Sequence, residues 1–206
     1  MRKREIALRS AAVALGAALM ASVAGAAVAD EIESDDVAVN VTIPRLDTPG
    51  FLAMSVAANS TTLTEGTPTA DYREFTGILP TVTITDTRAA EDIPDDAGWY
   101  VLGSATDFTG AAEDPTISAG HLGWAPALLD GGESGLVSEG EQVDTVLDEG
   151  DDAVGLVDQE LLALAINSEE IATEGSWAAN ANLFLRTPLT VKPGQYSSTV
   201  TLSLFE

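Results

Sequence analysis

The chain has 206 residues with 33 Asp and Glu against nine Lys and Arg, a formal net charge of −24, and no cysteine. A surface of this charge repels the phosphates of nucleic acids and the headgroups of anionic lipids, so we expect neither as a partner. The lack of cysteine excludes a disulfide-stabilised toxin scaffold. A hydrophobic core and backbone hydrogen bonds must therefore stabilise the fold.

The first 29 residues have the pattern of a secretory signal peptide. Residues 2–4 are basic, residues 11–28 are apolar, and Ala27-Val28-Ala29 has the small residues that signal peptidase accepts. An uncleaved membrane anchor is the alternative, but the apolar stretch is short and rich in alanine. We therefore predict a secreted protein beginning at Asp30. The leader holds four basic residues and one acidic residue, so the predicted mature part has 5 basic and 32 acidic residues, a net charge of −27.

Short strands separated by turn residues follow the predicted leader. Residues 30–36 form an acidic tail, and residues 37–43 then place Val37, Val39, Val41 and Ile43 on one face of a strand. Apolar and β-branched runs bounded by Gly, Pro or Asp predict further strands, at residues 51–56, 61–65, 79–87 and 98–102.

The second half of the chain continues the pattern after an interruption. Residues 130–152 are rich in Gly and acids, with weak strand signals at 136–137 and 143–147. Residues 160–166 fit a strand or a short helix, and their length favours the strand. Alternating apolar positions predict two last strands, at residues 177–185 and 196–204.

These patterns predict a single domain over residues 37–206. The fold class is all-β, with few or no helices after the signal peptide. Short strands with Gly and Pro between them are typical of a two-sheet antiparallel β-sandwich, Ig-like or related. An open barrel is the alternative. No second apolar run is long enough to span a membrane.

Catalytic patterns are weak in this sequence. The only histidine is His121, and no serine lies in a nucleophile-elbow motif. Two carboxylates would suffice for a glycosidase, but nearly all the acids lie in loops where solvated charge explains them. We therefore predict that the chain is not an enzyme.

One acidic loop is a candidate for calcium. Asp148, Glu149, Asp151 and Asp152 surround Gly150, but their spacing is not that of an EF-hand. Zinc is disfavoured by one histidine and no cysteine. We expect no cofactor, with calcium at this loop as the only open candidate.

Three tryptophans have two interpretations. Trp99, Trp124 and Trp177 each follow a small residue. Packing in the core is the default, because a buried indole makes a large apolar contact. Stacking on a sugar is the alternative, which would make these residues ligand contacts.

Two stretches of the sequence resemble the WxL domain family. Its first half is matched by Ile84-Thr85-Asp86-Thr87-Arg88, Gly98-Trp99-Tyr100-Val101-Leu102 and Ser104-Ala105-Thr106-Asp107-Phe108. Its closing motif is matched by residues 194–204, GQYSSTVTLSL. Val101 stands where a strict W-x-L has Leu, and Leu202 where the family has Trp. The resemblance extends from about residue 79 to residue 206.

The resemblance implies an all-β surface domain attached non-covalently to the Gram-positive cell wall, through peptidoglycan, and often working with other surface proteins. Trp99 and Tyr196 are the matched motif positions. The net charge of −27 opposes binding to anionic wall polymers, so contact needs neutral glycan, bridging cations or a protein partner. The alternative function is a structural subunit of an extracellular assembly that pairs edge strands with protein partners. A secreted hydrolase ranks last.

Overall fold

The computed structural model describes residue 41 and residues 49–111, 116–150 and 153–206. The chain divides into two compact units, residues 1–46 and 47–206, and the strands described below belong to the second. The predicted leader, acidic tail and strand at 37–43 lie outside the described residues, apart from Val41. Within the described ranges, no helix is long and apolar enough to cross a membrane.

The described residues of the second unit form ten strands and two short 3₁₀ turns. The 3₁₀ turns are Ala90–Asp92 and Ala119–His121. The strands are β1 (Leu52–Val56), β2 (Thr64–Glu65), β3 (Tyr72–Ile78), β4 (Val82–Asp86), β5 (Trp99–Ala105), β6 (Leu122–Asp130), β7 (Val137–Glu139), β8 (Glu160–Ala165), β9 (Ser176–Pro188) and β10 (Val200–Phe205). They form two antiparallel sheets packed together, so the predicted all-β sandwich is confirmed.

The first sheet is built around β9, which is hydrogen-bonded along both edges. One edge pairs with β6, and the other pairs with β3 and β4 in succession. β3 and β4 act as one long strand interrupted near Pro80, because the Leu79 N–H still donates to the Ala181 carbonyl (2.9 Å). β1 pairs with β4, and β2 pairs with β3, on the side away from β9. Residues 57–63 separate β1 from β2 along the chain. We call that segment the 57–63 loop.

The second sheet has the order β10-β5-β8-β7. A bulge between Val101 and Leu102 shifts the register of β5 against β8. β10 lies beside β5, with Leu204 opposite Val101 and Phe205 opposite Tyr100. Residues 98–102 and the closing motif at 194–204, two of the segments that resemble WxL motifs, therefore contribute to neighbouring strands.

The core lies between the two sheets and follows the period of 2 predicted from the sequence. β9 turns every second side chain inwards: Trp177, Ala179, Ala181, Leu183, Leu185 and Thr187 are buried. Val82 and Ile84 of β4 and Trp99 and Val101 of β5 pack into the same cluster. Burial of this apolar surface supplies the main stabilisation, since no cysteine is present.

Two strands are not predicted by the sequence pattern. β6 contains Pro126, which argues against a strand because proline cannot donate a ladder hydrogen bond. Trp124 exchanges backbone hydrogen bonds with Val143 on the side away from β9, so the nitrogen of Pro126, two residues on, also faces away from β9. The proline therefore costs no bond to β9. β3 is hidden because Arg73, Glu74 and Gly77 break its apolar alternation.

Other boundaries also move. The last strand begins at Val200 rather than at residue 196, with Ser197 joined to Thr109 only by an isolated bridge. The weak signal at 143–147 corresponds to the single bridge between Val143 and Trp124. The ambiguous segment at 160–166 is strand β8.

Candidate functional site

All three tryptophans lie in the core. Trp99 and Trp177 are each 1% exposed and Trp124 is fully buried. The rings of Trp99 and Trp177 are 5.4 Å apart and tilted by 46°. A glycan on the surface of the described unit would therefore not reach these indoles, and packing explains their position.

The indole nitrogens differ in their partners. The Trp177 Nε1–H donates to the Glu174 carboxylate at 2.7 Å. Within the described residues, the Nε1 atoms of Trp99 and Trp124 have no hydrogen-bond partner. A buried N–H without a partner costs free energy, so the apolar contacts of these two rings must outweigh that cost.

Tyr196 is half-buried rather than displayed. Its ring packs against the core cluster, and its hydroxyl donates to the Lys192 carbonyl at 3.1 Å. This bond joins two residues of the turn that precedes β10. Tyr196 therefore holds the segment at residues 191–199, which we call the 191–199 segment, against the sandwich.

Asp148, one of the acidic residues of the candidate calcium loop, forms hydrogen bonds and an ion pair within the protein. The Asp148 carboxylate accepts from the Thr145 N–H and hydroxyl, both at 2.9 Å, and from Arg186. Glu149 is exposed, and Asp151 and Asp152 lie outside the described residues. The part of the chain that the structure describes contains no group of three His, Cys, Asp or Glu side chains that could hold a metal ion. Calcium at this loop stays an untested candidate.

His121 ends a 3₁₀ turn at the start of β6 and is partly buried. Its Nδ1 has no hydrogen-bond partner in the described ranges. A catalytic histidine needs an orienting group at that nitrogen and a nucleophile beside the other. The described residues offer no such orienting bond.

A large cavity opens between the two sheets at one side of the sandwich. Its volume is about 1300 Å³. Side chains of β1 and β10 line its two flanks, with Met54 and Val56 on one and Val200 and Leu202 on the other. Phe75 and other apolar residues that belong to the core cluster or pack against it also line the cavity. We call this cavity the lateral groove.

The rim of the lateral groove is polar but not acidic. The 57–63 loop and the 191–199 segment supply hydroxyl and amide groups, from Asn59, Ser60, Thr61, Thr62, Ser197, Ser198 and Thr199. None of the described lining residues is Asp or Glu, although the chain contains 33 of them.

Two basic residues line the lateral groove. Arg73 is bound to Glu65, with N–O distances of 2.7 and 2.9 Å, and this bond lowers the pKa of the Glu65 carboxyl. Lys192 is in no ion pair with any described residue. Among the described lining residues, the charge that no ion pair compensates is therefore positive, in a chain that is strongly negative as a whole.

A second feature, a pair of aromatic rings, lies on the outer face of the second sheet, on β5 and β10. The rings of Tyr100 and Phe205 stack with centroids 5.1 Å apart and planes 14° from parallel. They are 40% and 36% exposed. Leu164 on β8 is the register partner of Tyr100, and Ser203 on β10 is the register partner of Leu102 on β5. We call Tyr100 and Phe205 the aromatic pair.

Sequence reasoning did not find either feature. The aromatic pair was detectable in part, because Tyr100 and Phe205 have the opposite parity to the buried Trp99 and to Leu204. Their contact depends on the pairing of β5 with β10, which brings together two residues 105 positions apart in the chain and which no local signal shows. The lateral groove depends on two sheet edges lying side by side.

Comparison with protein-family models, with curated proteins and with solved structures finds no match.

Proposed function

We propose that this chain is a secreted, non-enzymatic module of the Gram-positive cell surface, held on the wall by contact of the aromatic pair with the neutral glycan of peptidoglycan. The location rests on the leader pattern and on the resemblance to WxL domains. The observation that carries the contact is the exposed stack of Tyr100 and Phe205.

The aromatic pair suits a neutral ligand. The apolar faces of sugar rings pack on aromatic rings, and this contact needs no charge on the protein. Leu102 lies two residues after Tyr100 on β5, on the same face of the strand, and extends the apolar surface there. Its register partner on β10 is Ser203. Such a contact avoids the repulsion that the net charge would produce against anionic wall polymers. The buried tryptophans act indirectly, since Trp99 anchors the strand that presents Tyr100.

A sedimentation assay with purified cell-wall sacculi tests this proposal. We expect the native protein to sediment with sacculi, and the double variant Tyr100→Ala/Phe205→Ala to stay in solution. The matched control is Ile166→Ala, which removes an aliphatic side chain that is 65% exposed just beyond β8. This control should sediment as the native protein does.

Three results would argue against the proposal. Sedimentation of the folded double variant at native levels would exclude the aromatic pair as the contact. Failure of the native protein to sediment, with and without calcium, would exclude direct wall attachment. Binding that appears only with calcium would indicate bridging cations instead of glycan stacking.

A second candidate function is an interaction subunit of an extracellular surface assembly. The lateral groove favours it, because an apolar cavity of this size between two sheet edges is typical of a binding surface. Self-assembly through this surface predicts oligomers whose mass rises with concentration in light scattering. A constant monomer mass would direct the search to other protein partners.

A further inference from the structure

We infer that the lateral groove is a docking site for an extended strand of a protein partner, with apolar side chains at every second position and a carboxylate near one end. The inference deepens the second candidate function and is independent of wall attachment through the aromatic pair.

The size of the lateral groove indicates an extended occupant. Its volume of about 1300 Å³ exceeds the range of about 300–1000 Å³ typical of small-molecule pockets. Its flanks are the edge strands of two different sheets. A peptide strand fits this shape, because alternate side chains point to one face at a spacing of about 6.6 Å.

Within the described residues, the backbone of β10 has one unpaired edge beside the lateral groove. The Thr106 N–H donates to the Thr199 carbonyl at 3.0 Å, which fixes which residues of the segment face β5. By alternation, the N–H and C=O groups of Val200, Leu202 and Leu204 point away from β5. Among the described strands, β10 pairs with β5 alone. An incoming strand can therefore add to this edge through backbone hydrogen bonds.

Apolar side chains of the added strand would enter the cavity. Val200 and Leu202 line it from the same strand whose edge is free, and Met54 and Phe75 line it from the opposite sheet. A strand beside β10 turns every second side chain towards the space between the sheets. Valine or isoleucine at those positions would bury apolar surface against these residues.

The charge of the lateral groove selects an acidic occupant. Its described lining contains Arg73 and Lys192 but no carboxylate. Arg73 is compensated by Glu65, whereas Lys192 is in no described ion pair. A partner carboxylate beside Lys192 therefore gains attraction at a place where none of the described lining residues is a competing acid. Elsewhere the surplus of acids repels it.

The test measures binding of synthetic peptides to the full chain by calorimetry. The probe begins with two aspartates, and in the seven residues that follow them valine and threonine alternate. One control peptide has the same composition with the valines consecutive, and a second has lysines for the aspartates. We expect the probe to bind, and each control peptide to bind at least about tenfold more weakly.

Variants of the protein separate the two contributions. Lys192→Glu should lower the affinity for the aspartate probe about tenfold and raise the affinity for the lysine peptide, because attraction and repulsion are exchanged. Val56→Asp places a charge at the apolar flank, where Val56 is 41% exposed, and should weaken both peptides. N-methylation of the probe at alternate residues on its pairing edge should abolish binding, and methylation on the other edge should not.

Several outcomes would overturn the inference. Equal binding of the alternating and consecutive peptides, or an unchanged affinity in the folded Lys192→Glu variant, would do so. Absence of probe binding together with binding of a fatty acid would assign the lateral groove to an acyl chain. A dimer that the probe does not dissociate would assign it to a second copy. Sacculi binding is measured separately: Lys192→Glu should leave it intact, and the aromatic-pair variant should leave peptide binding intact.

Discussion

Asp86 is the one carboxylate that the described part of the sandwich buries, at 2% exposure. Its oxygens accept from the Arg88 N–H at 3.0 Å and from the guanidinium at 2.9 and 2.7 Å. Arg88 also binds the Glu206 carboxylate beyond β10 at 2.5 Å. These bonds raise the pKa of Arg88, mainly through Asp86. The pair joins the end of β4 to the end of the chain across the two sheets.

Removal of one partner should be more damaging than removal of both. We expect Asp86→Ala to lower the free energy of unfolding by about 1.5–3 kcal/mol, because Arg88 loses its hydrogen bonds to the buried carboxylate while Glu206 still compensates its charge. The double variant Asp86→Leu/Arg88→Met should recover most of that loss. Urea denaturation monitored by circular dichroism measures both. A loss below about 1 kcal/mol for Asp86→Ala would mean that the pair is solvated.

Gly103 allows the Trp124 ring to cross between the sheets. A Cβ at residue 103 would lie 2.5 Å from the Trp124 ring and 3.1 Å from the Leu202 side chain. We therefore expect Gly103→Ala to destabilise the fold by about 1–3 kcal/mol through overpacking. The matched control is Gly66→Ala, whose Cβ would meet only the Glu74 carbonyl at 3.8 Å. Thermal unfolding compares the two, and equal midpoints would contradict the crowding.

At the scale of elements, the position of a proline is decided by which edge of a strand is bonded. Pro126 lies in β6 with its nitrogen turned away from β9, whereas Asn182 lies in β9 between two partners. Pro126→Thr should therefore change the free energy of unfolding by less than about 0.5 kcal/mol. Asn182→Pro should cost about 3 kcal/mol or more, since the exposed side chain matters little but a ladder bond is lost.

Hydrogen exchange provides the check on this pair. In Asn182→Pro, amides of β6 near Ala125 should exchange faster, because Ala125 is the register partner of Asn182. In Pro126→Thr, protection of β9 should remain at the native level. Similar exchange in both variants would mean that β6 contributes little to the sheet.

The elements show unequal predictability. The alternation in β4 and β9 is a local property, so the sequence was enough to identify both strands and their buried faces. β3 was missed because Glu74 and Arg73 are stabilised by ion pairs to Arg186 and Glu65, partners that lie on other strands. β6 was missed because Pro126 is tolerated only at a free edge, which is a property of the assembled sheet.

At the scale of the whole molecule, excess negative charge should limit stability. Five ion pairs are present among the described residues, and the chain has 33 acidic residues against nine basic ones. We expect the melting temperature at pH 7 to rise between about 10 and 300 mM NaCl, because salt screens repulsion between like charges. Scanning calorimetry measures this shift. A melting temperature that falls with salt would mean that the ion pairs outweigh the repulsion.

The sequence by itself determined the acidic character, the all-β class and the inward faces of the most regular strands. Each of these depends on composition or on a period of 2 along one segment. The tertiary structure decided between the two interpretations of the tryptophans, because burial depends on both sheets closing over Trp99, Trp124 and Trp177. It also placed Tyr100 beside Phe205, and Met54 and Leu202 in the lining of one cavity. Such proximities arise only when distant strands pair, since pairing joins residues that no local pattern connects.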